Sequence, residues 1–185
     1  MTVVINCRVQ PEDFVVDQEY QALRRQDCGA VVLFCGLVRE QFQPLERSQG
    51  MPQPTDTLQA LELEHYPDMT EHSIRAIAGQ AAKRFDLRAI TVVHRIGLLP
   101  LGAQIVLVGV AAPHRSDAFA ACDMLMDYLK NQVPLWKKVH FSTSTSWADA
   151  KASDKQALAR WQTAEQNTAE NCQATGKSRV SSVDV

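Results

Sequence analysis

Hydrophobic positions recur with period two in some stretches and at three-to-four spacing in others, and the two periods alternate along the chain. Residues 2–9 alternate weakly and predict a first strand, stopped by Pro11. Residues 13–25 predict a short helix with Phe14, Tyr20 and Leu23 facing inward, followed by a turn at Asp27-Cys28-Gly29. Residues 30–35, AVVLFC, are almost continuously apolar and rich in β-branched side chains, which predicts a buried strand ended by Gly36. Residues 57–66 alternate, with Leu61 and Leu63 on one side and Glu62 and Glu64 on the other, the pattern of a half-solvated strand. Ile74, Ile77, Ala78, Ala81 and Phe85 mark one face of a helix over 71–85. Thr70 suits its N-cap, and Lys83 and Arg84 suit the negative end of its dipole.

Residues 89–96 predict another strand, closed by Gly97, and 98–102 a turn around Pro100. Residues 104–112, QIVLVGVAA, are apolar on both faces and predict a central strand. A helix follows, capped by Ser116 and running to Lys130, with Phe119, Cys122, Leu125, Met126 and Leu129 as its buried face. Pro134 breaks it, and residues 138–143 predict a last strand. Residues 148–162 are rich in helix formers, with Trp161 to dock them. Residues 41–56 hold three prolines and a glycine without periodicity and predict a mobile surface loop. Residues 163–185 are polar and predict a disordered tail, leaving a single domain over 1–162. Helices and strands alternate only partly, and the strand at 57–66 is one-sided. An α+β domain fits this better than a doubly wound parallel sheet.

Composition narrows the function. The 185 residues, 45% hydrophobic and 22% charged, suit one globular domain with a sizeable core. A net charge of −2 argues against bulk nucleic-acid binding and leaves room only for a local basic pocket. The five cysteines form no CxxC pair, as expected of free thiols in a reducing cytosol. No apolar run nears the roughly 20 residues of a membrane span, and the first residues, MTVVINCRVQPEDF, lack a signal-peptide pattern, so a cytoplasmic protein is expected. His65, His72, His94 and His140 show no metal-ligand spacing, and no GxxxxGK[ST] or GxGxxG segment is present. Neither a metal nor a resident cofactor is expected.

Cations gather around the stretch 111–147. His114 and Arg115 precede a helix start, where free N–H groups and the dipole favour an anion and the two side chains add donors that match phosphate. Lys130, Lys137 and Lys138 lie at the far end, and Arg39 follows the strand at 30–35. Each has an ordinary alternative. Arg39 suits a solvated loop, Lys130 a helix C-terminus, and Lys137 and Lys138 a surface strand with snorkelling side chains. Cys35 as a nucleophile lacks a base or a resolving cysteine nearby in sequence.

Five segments in order carry a resemblance: GAVVLFCGLVR at 29–39, LELEHYPDMTE at 61–71, VVHRIG at 92–97, VGVAAPHRSDAF at 108–119 and MDYLKNQVPLWKK at 126–138. Together they resemble the catalytic (large) subunit family of molybdopterin synthase. The resemblance implies an α/β hammerhead-type domain with additional antiparallel strands. It implies a sulfurtransferase that makes the molybdopterin dithiolene from cyclic pyranopterin monophosphate. The sulfur donor is the thiocarboxylated C-terminus of a small ubiquitin-like subunit, in a heterotetramer built on a homodimer of large subunits. It further implies catalytic roles for Lys130 and Lys137 and substrate contacts at Leu37, Val38, Arg39, His114, Arg115, Lys138 and Val139. Val139 stands where the family usually has an acid, Leu98 where it often has a glutamate, and Leu37 where it is commonly polar or basic. The 41–56 loop is longer than usual for the family. A non-catalytic paralogue that binds the pterin phosphate or the small subunit is the alternative these departures suggest. A helix from Asp117 to Lys130 is roughly 20 Å long. That separates His114 and Arg115 from Lys130 and implies a pocket shared between the two large subunits.

Overall fold

A computed structural model describes residues 2–40, 57–148 and 159–161. The loop expected at 41–56, the tail at 163–185 and most of the segment 148–162 lie outside the described residues. The chain runs β1 (Val4–Gln10), α1 (Val16–Leu23), β2 (Ala30–Leu37), β3 (Leu58–His65), α2 (Met69–Arg84), β4 (Ala89–Arg95), β5 (Gly97–Pro100), β6 (Gln104–Ala112), α3 (Arg115–Gln132), β7 (Leu135–Phe141) and β8 (Thr145–Ala148).

The strands form two four-stranded sheets, ordered β1-β4-β6-β2 and β5-β3-β7-β8. Only β1 and β4 pair in parallel; every other pair is antiparallel. This is the α+β class the one-sided strand pattern predicts. In the first sheet β4 and β6 are central and covered on both faces. Ile90, Val92, Val108 and Val110 meet α2 and α3 through Ile74, Ile77, Ala81, Ala121, Leu125 and Leu129. On the opposite face Leu23 of α1 packs with Ala89 and Ala111, and Phe14 packs with Val93 and Leu107. Double coverage is why both strands read as apolar on alternate and intervening positions. The second sheet has its own small core of Val38, Leu58, Leu61, Leu63, Leu99 and Val139.

Several expectations are corrected. The strand at 30–35 is not buried. β2 is an edge strand that continues through Gly36 to Leu37, with a register shift there. Phe34 is 40% exposed and Leu37 54%. An apolar run cannot say how many neighbours its strand will have. Residues 98–102 are not one turn, because 97–100 pair with β3 as β5 and only Leu101-Gly102 turns. The last predicted strand begins three residues early, at Leu135, and pairs with β8, which is too short and polar to be legible. Thr70 lies inside the first turn of α2, behind Asp68, and Ser116 lies inside α3, behind His114. Phe119 is 63% exposed and Met126 half-buried; the buried stripe of α3 shares Cys122, Leu125 and Leu129 with the predicted face and is completed by Ala118, Ala121, Met124 and Tyr128. Tyr20 is likewise 37% exposed, and Glu19 takes the buried place beside it, ion-paired with Arg8.

Candidate active site

The long elements of the first sheet act as rulers for the candidate residues. β6 spans nine residues, about 26 Å from end to end. α3 starts just past the Ala112 end and packs back across β6 and β2. Its midpoint lies over the strand's midpoint, with Cys122 Sγ 3.9 Å from the Val108 carbonyl oxygen. Eighteen residues of helix cover about 27 Å, so Lys130 returns to the Gln104 end of the sheet. Arg39 leaves from that same end, just after Leu37 pairs with Gln104. His114 and Arg115 sit at the opposite end, beyond Ala112. The structure therefore brings Arg39, Lys130 and Lys137 to one end of the sheet and holds His114 and Arg115 away from them.

Arg39 is exposed, and the residue before it is firmly anchored. Val38 donates its N–H to the Ala103 carbonyl at 2.9 Å and accepts from the Gly102 N–H at 2.8 Å. Its side chain lies in the second core, as does that of Val139, which has no exposed surface. Both were expected to touch the ligand. Their side chains pack with Leu61, Leu63 and Leu99, next in sequence to Arg39 and Lys138. Leu37 is exposed, as a contact residue requires.

The register of β7 separates the two adjacent lysines. Lys137 pairs with Leu63, Lys138 with Glu62 and Val139 with Leu61. Directly paired residues point to the same face. Lys137, itself exposed, therefore leaves on the face of Leu61, Leu63 and Val139, whereas Lys138, half-buried, leaves on the opposite face. There Lys138 Nζ lies 3.6 Å from Glu62 Oε2 and 5.7 Å from the centre of the Trp147 ring. His140 Nε2 lies 2.7 Å from the same Glu62 oxygen. That His140 hydrogen bond, with help from Lys138, holds the Glu62 carboxyl below its usual range. Lys138 is thus committed to an ion pair.

One residue of this region carries no sequence signal beyond a polar interruption in the apolar run 89–96. His94, on β4, is 7% exposed. Its Nδ1 lies 2.8 Å from the Arg95 carbonyl oxygen. Burial lowers its pKa to about 4, against the pull of that carbonyl, and the nearby Lys137 lowers it further.

At the other end His114 is the N-cap residue of α3 and makes no side-chain cap. His114, Arg115 and Ser116 are exposed. The carboxyl of Asp86 is held below its usual range mainly by Arg88, and His114 contributes. Arg88 also reaches Asp27 at 2.8 Å. The backbone there is tightly nested. Gly29 donates to the Ala112 carbonyl at 3.1 Å, and a Cβ on Gly29 would lie 2.4 Å from the Pro113 carbonyl oxygen. Among the described residues no cluster of His, Cys, Asp or Glu could hold a metal ion.

The family model described as MoaE protein matches residues 9–132. The chain belongs to the MoaE family. A MoaE relative from Vibrio cholerae, a molybdopterin synthase catalytic subunit, is 46% identical over 155 residues, covering 83% of this chain and 96% of that protein. The solved structure of molybdopterin cofactor biosynthesis protein E from Burkholderia multivorans is 42% identical, with a TM-score of 0.68 over 85% of this chain and 97% of that one. The molybdopterin synthase structure from Staphylococcus aureus has a TM-score of 0.67 at 28% identity, over 76% of this chain and 95% of its own. The MoaE fold is thus the one described above, and the matched segment takes in Arg39, His94, His114, Arg115 and Lys130.

Proposed function

We propose that this chain is the catalytic subunit of a molybdopterin synthase. It transfers sulfur from the thiocarboxylated C-terminus of a small ubiquitin-like subunit to cyclic pyranopterin monophosphate, forming the dithiolene of molybdopterin. The observation that carries this reading is the placement of Lys137. It is exposed on the face of β7 opposite Lys138, at the end of the sheet that also holds Arg39 and Lys130, while Lys138 is half-buried and paired to Glu62. An exposed amine that can reach the ligand can serve as general acid or base in proton transfer. Lys137 would move the proton that each sulfur transfer requires. Lys130 would balance the charge of the thiocarboxylate and of the carboxylate that replaces it. Arg39 would hold the substrate, with Leu37 lining its rim.

His114 and Arg115 fit a phosphate through the open N-terminus of α3. They stand about 26 Å from the other group along β6, farther than one small pterin phosphate reaches. The pocket is therefore composite in this reading, with His114 and Arg115 supplied by a second large subunit of the heterotetramer. Residues 1–162 form the catalytic unit, and the protein works in the cytoplasm. No described helix is long and apolar enough to cross a membrane.

Reconstitution with the thiocarboxylated small subunit and the pterin precursor tests the reading. Dithiolene formation should fall by about 10²–10⁴-fold in Lys137→Ala, the usual worth of a positioned proton-transfer group. Lys138→Ala should retain most of the turnover. Equal losses in the two variants would sink the assignment. A second reading, a non-catalytic binding paralogue, draws on the buried Val139 at a position that is usually acidic in the family. Pterin binding without any turnover by the unmodified chain would favour it.

A further inference from the structure

Residues 159–161 fold back onto α3 within one turn of Lys130. Trp161 Nε1 donates to Asp127 Oδ2 at 2.7 Å, and Arg160 Nε donates to the same oxygen at 3.0 Å. Arg160 Nη2 also meets that oxygen and lies 2.8 Å from Asp123 Oδ2. From α2, Arg84 donates to the Trp161 carbonyl at 3.2 Å and stands 5.3 Å over the centre of its ring. The indole is therefore held from both helices. The Asp127 side chain keeps only 13% of its surface, against 55% for Asp123. Asp127 precedes Lys130 by three residues on α3. Side chains at that spacing are neighbours on a helix surface, and an acid there is the ordinary ion-pair partner of a lysine. Lys130 nevertheless makes no ion pair among the described residues. The donors of Arg160 and Trp161 occupy the carboxylate that would otherwise hold it.

We propose that Arg160 is a positioning residue for Lys130: by drawing the Asp127 carboxylate to its own guanidinium and to the Trp161 indole, it leaves the Lys130 ammonium unpaired and open to the negatively charged tail of the small subunit. The proposal rests on the reading of Lys130 as the group that balances the thiocarboxylate. An acid one turn away competes with any incoming anion for the same ammonium. Docking of residues 159–161 by itself would not require Asp127. Asp123 also offers Arg160 a carboxylate, and at seven residues from Lys130, about 10 Å along the helix, it has no such conflict. The guanidinium nevertheless gives two of its nitrogens to Asp127 and one to Asp123.

Charge and docking come apart in three variants of the full chain. Arg160→Ala releases Asp127 to pair with Lys130. Asp127→Asn removes the acid and leaves an amide oxygen for the Trp161 N–H. The double variant Asp127→Asn/Arg160→Ala removes both partners. Two measurements are read side by side. One is the rate at which Lys130 is acetylated at fixed pH, relative to the denatured chain, from competitive labelling and peptide mass spectrometry. The other is kcat and KM for the thiocarboxylated small subunit in dithiolene formation. In Arg160→Ala, Lys130 should react about two- to fivefold more slowly and KM should rise by a similar factor, the worth of one ion pair at a partly covered surface. Its kcat should change little, because Lys130 balances the same charge before and after transfer. Asp127→Asn and the double variant should match the unmodified chain in both measurements. Either of them as impaired as Arg160→Ala would overturn the proposal, since docking and not charge would then govern the site. So would an Arg160→Ala chain whose Lys130 reacts at the unmodified rate. Circular dichroism checks the fold of each variant, and Arg160→Gln, which keeps the stem without the charge, replaces Arg160→Ala should that one unfold. The labelling needs no turnover. A chain that forms no dithiolene would therefore refute the enzyme reading, while the Lys130 rates still decide whether Arg160 keeps Asp127 from Lys130.

Discussion

Thr70→Val tests how β7 is anchored. Thr70 has no exposed surface. Its hydroxyl lies 2.9 Å from the Tyr66 carbonyl and 3.1 Å from the Pro134 carbonyl, so one proton is shared between two acceptors. The second contact ties the first turn of α2 to the residue just before β7, three positions from Lys137. Valine matches threonine in shape and has no hydroxyl, leaving the Pro134 carbonyl without its side-chain partner. A buried group deprived of its hydrogen bond costs about 1–3 kcal/mol. For a chain of 185 residues, each kcal/mol moves the midpoint by about 2–4 °C, which gives a drop of roughly 2–12 °C. Thermal unfolding followed by circular dichroism, with urea unfolding for the free energy, measures both. Thr70→Ser keeps the hydroxyl and should lose only about 1 kcal/mol for its missing methyl. A Thr70→Val chain within about 0.5 kcal/mol of the unmodified one, the range of ordinary surface changes, would show that the hydroxyl anchors nothing.

Three further outcomes follow from the geometry. Alkylation of the native chain at pH 8 should label Cys35 and Cys28 and spare Cys7 and Cys122, which burial pushes up to about 11. Labelling of the buried pair should appear only in denaturant, and mass spectrometry of digests reads it. Gly29→Ala should cost about 1–3 kcal/mol, because its Cβ would stand 2.4 Å from a backbone oxygen that cannot swing away; an unchanged midpoint would refute the close approach. Stability should depend on acid through His94. Its folded pKa is lowered from 6.5 to about 4, so the unfolded chain binds the extra proton. This contribution, about 3 kcal/mol, is complete above pH 6.5 and is lost as the pH falls towards 4. Urea unfolding across that window should show the loss, and His94→Gln should flatten it.

The core was legible because its chemistry is periodic. Residues 104–112 are apolar on every face, and a strand of that kind needs a layer on each side, which fixed β6 as central before any coordinates. Ile74, Ile77, Ala78 and Ala81 marked the inner stripe of α2 in the same way. The edge strand β2 was misread because AVVLFC is as apolar as a central strand, and the count of its neighbours is a property of the assembled sheet. Phe119 was misread because a large apolar residue at helical spacing looks buried, although the close packing of α3 on the sheet selects Ala118 and Ala121 instead.

By itself the sequence determined most element types, the α+β class and the family, since these are written in local spacing and in motifs. Only the tertiary structure decided which lysine pairs with Glu62, because a one-residue change of register across β3 would exchange Lys137 for Lys138. Only it set His114 and Arg115 a full strand length away from Arg39. That relation joins residues 75 positions apart in the chain, through backbone pairings that no local pattern encodes.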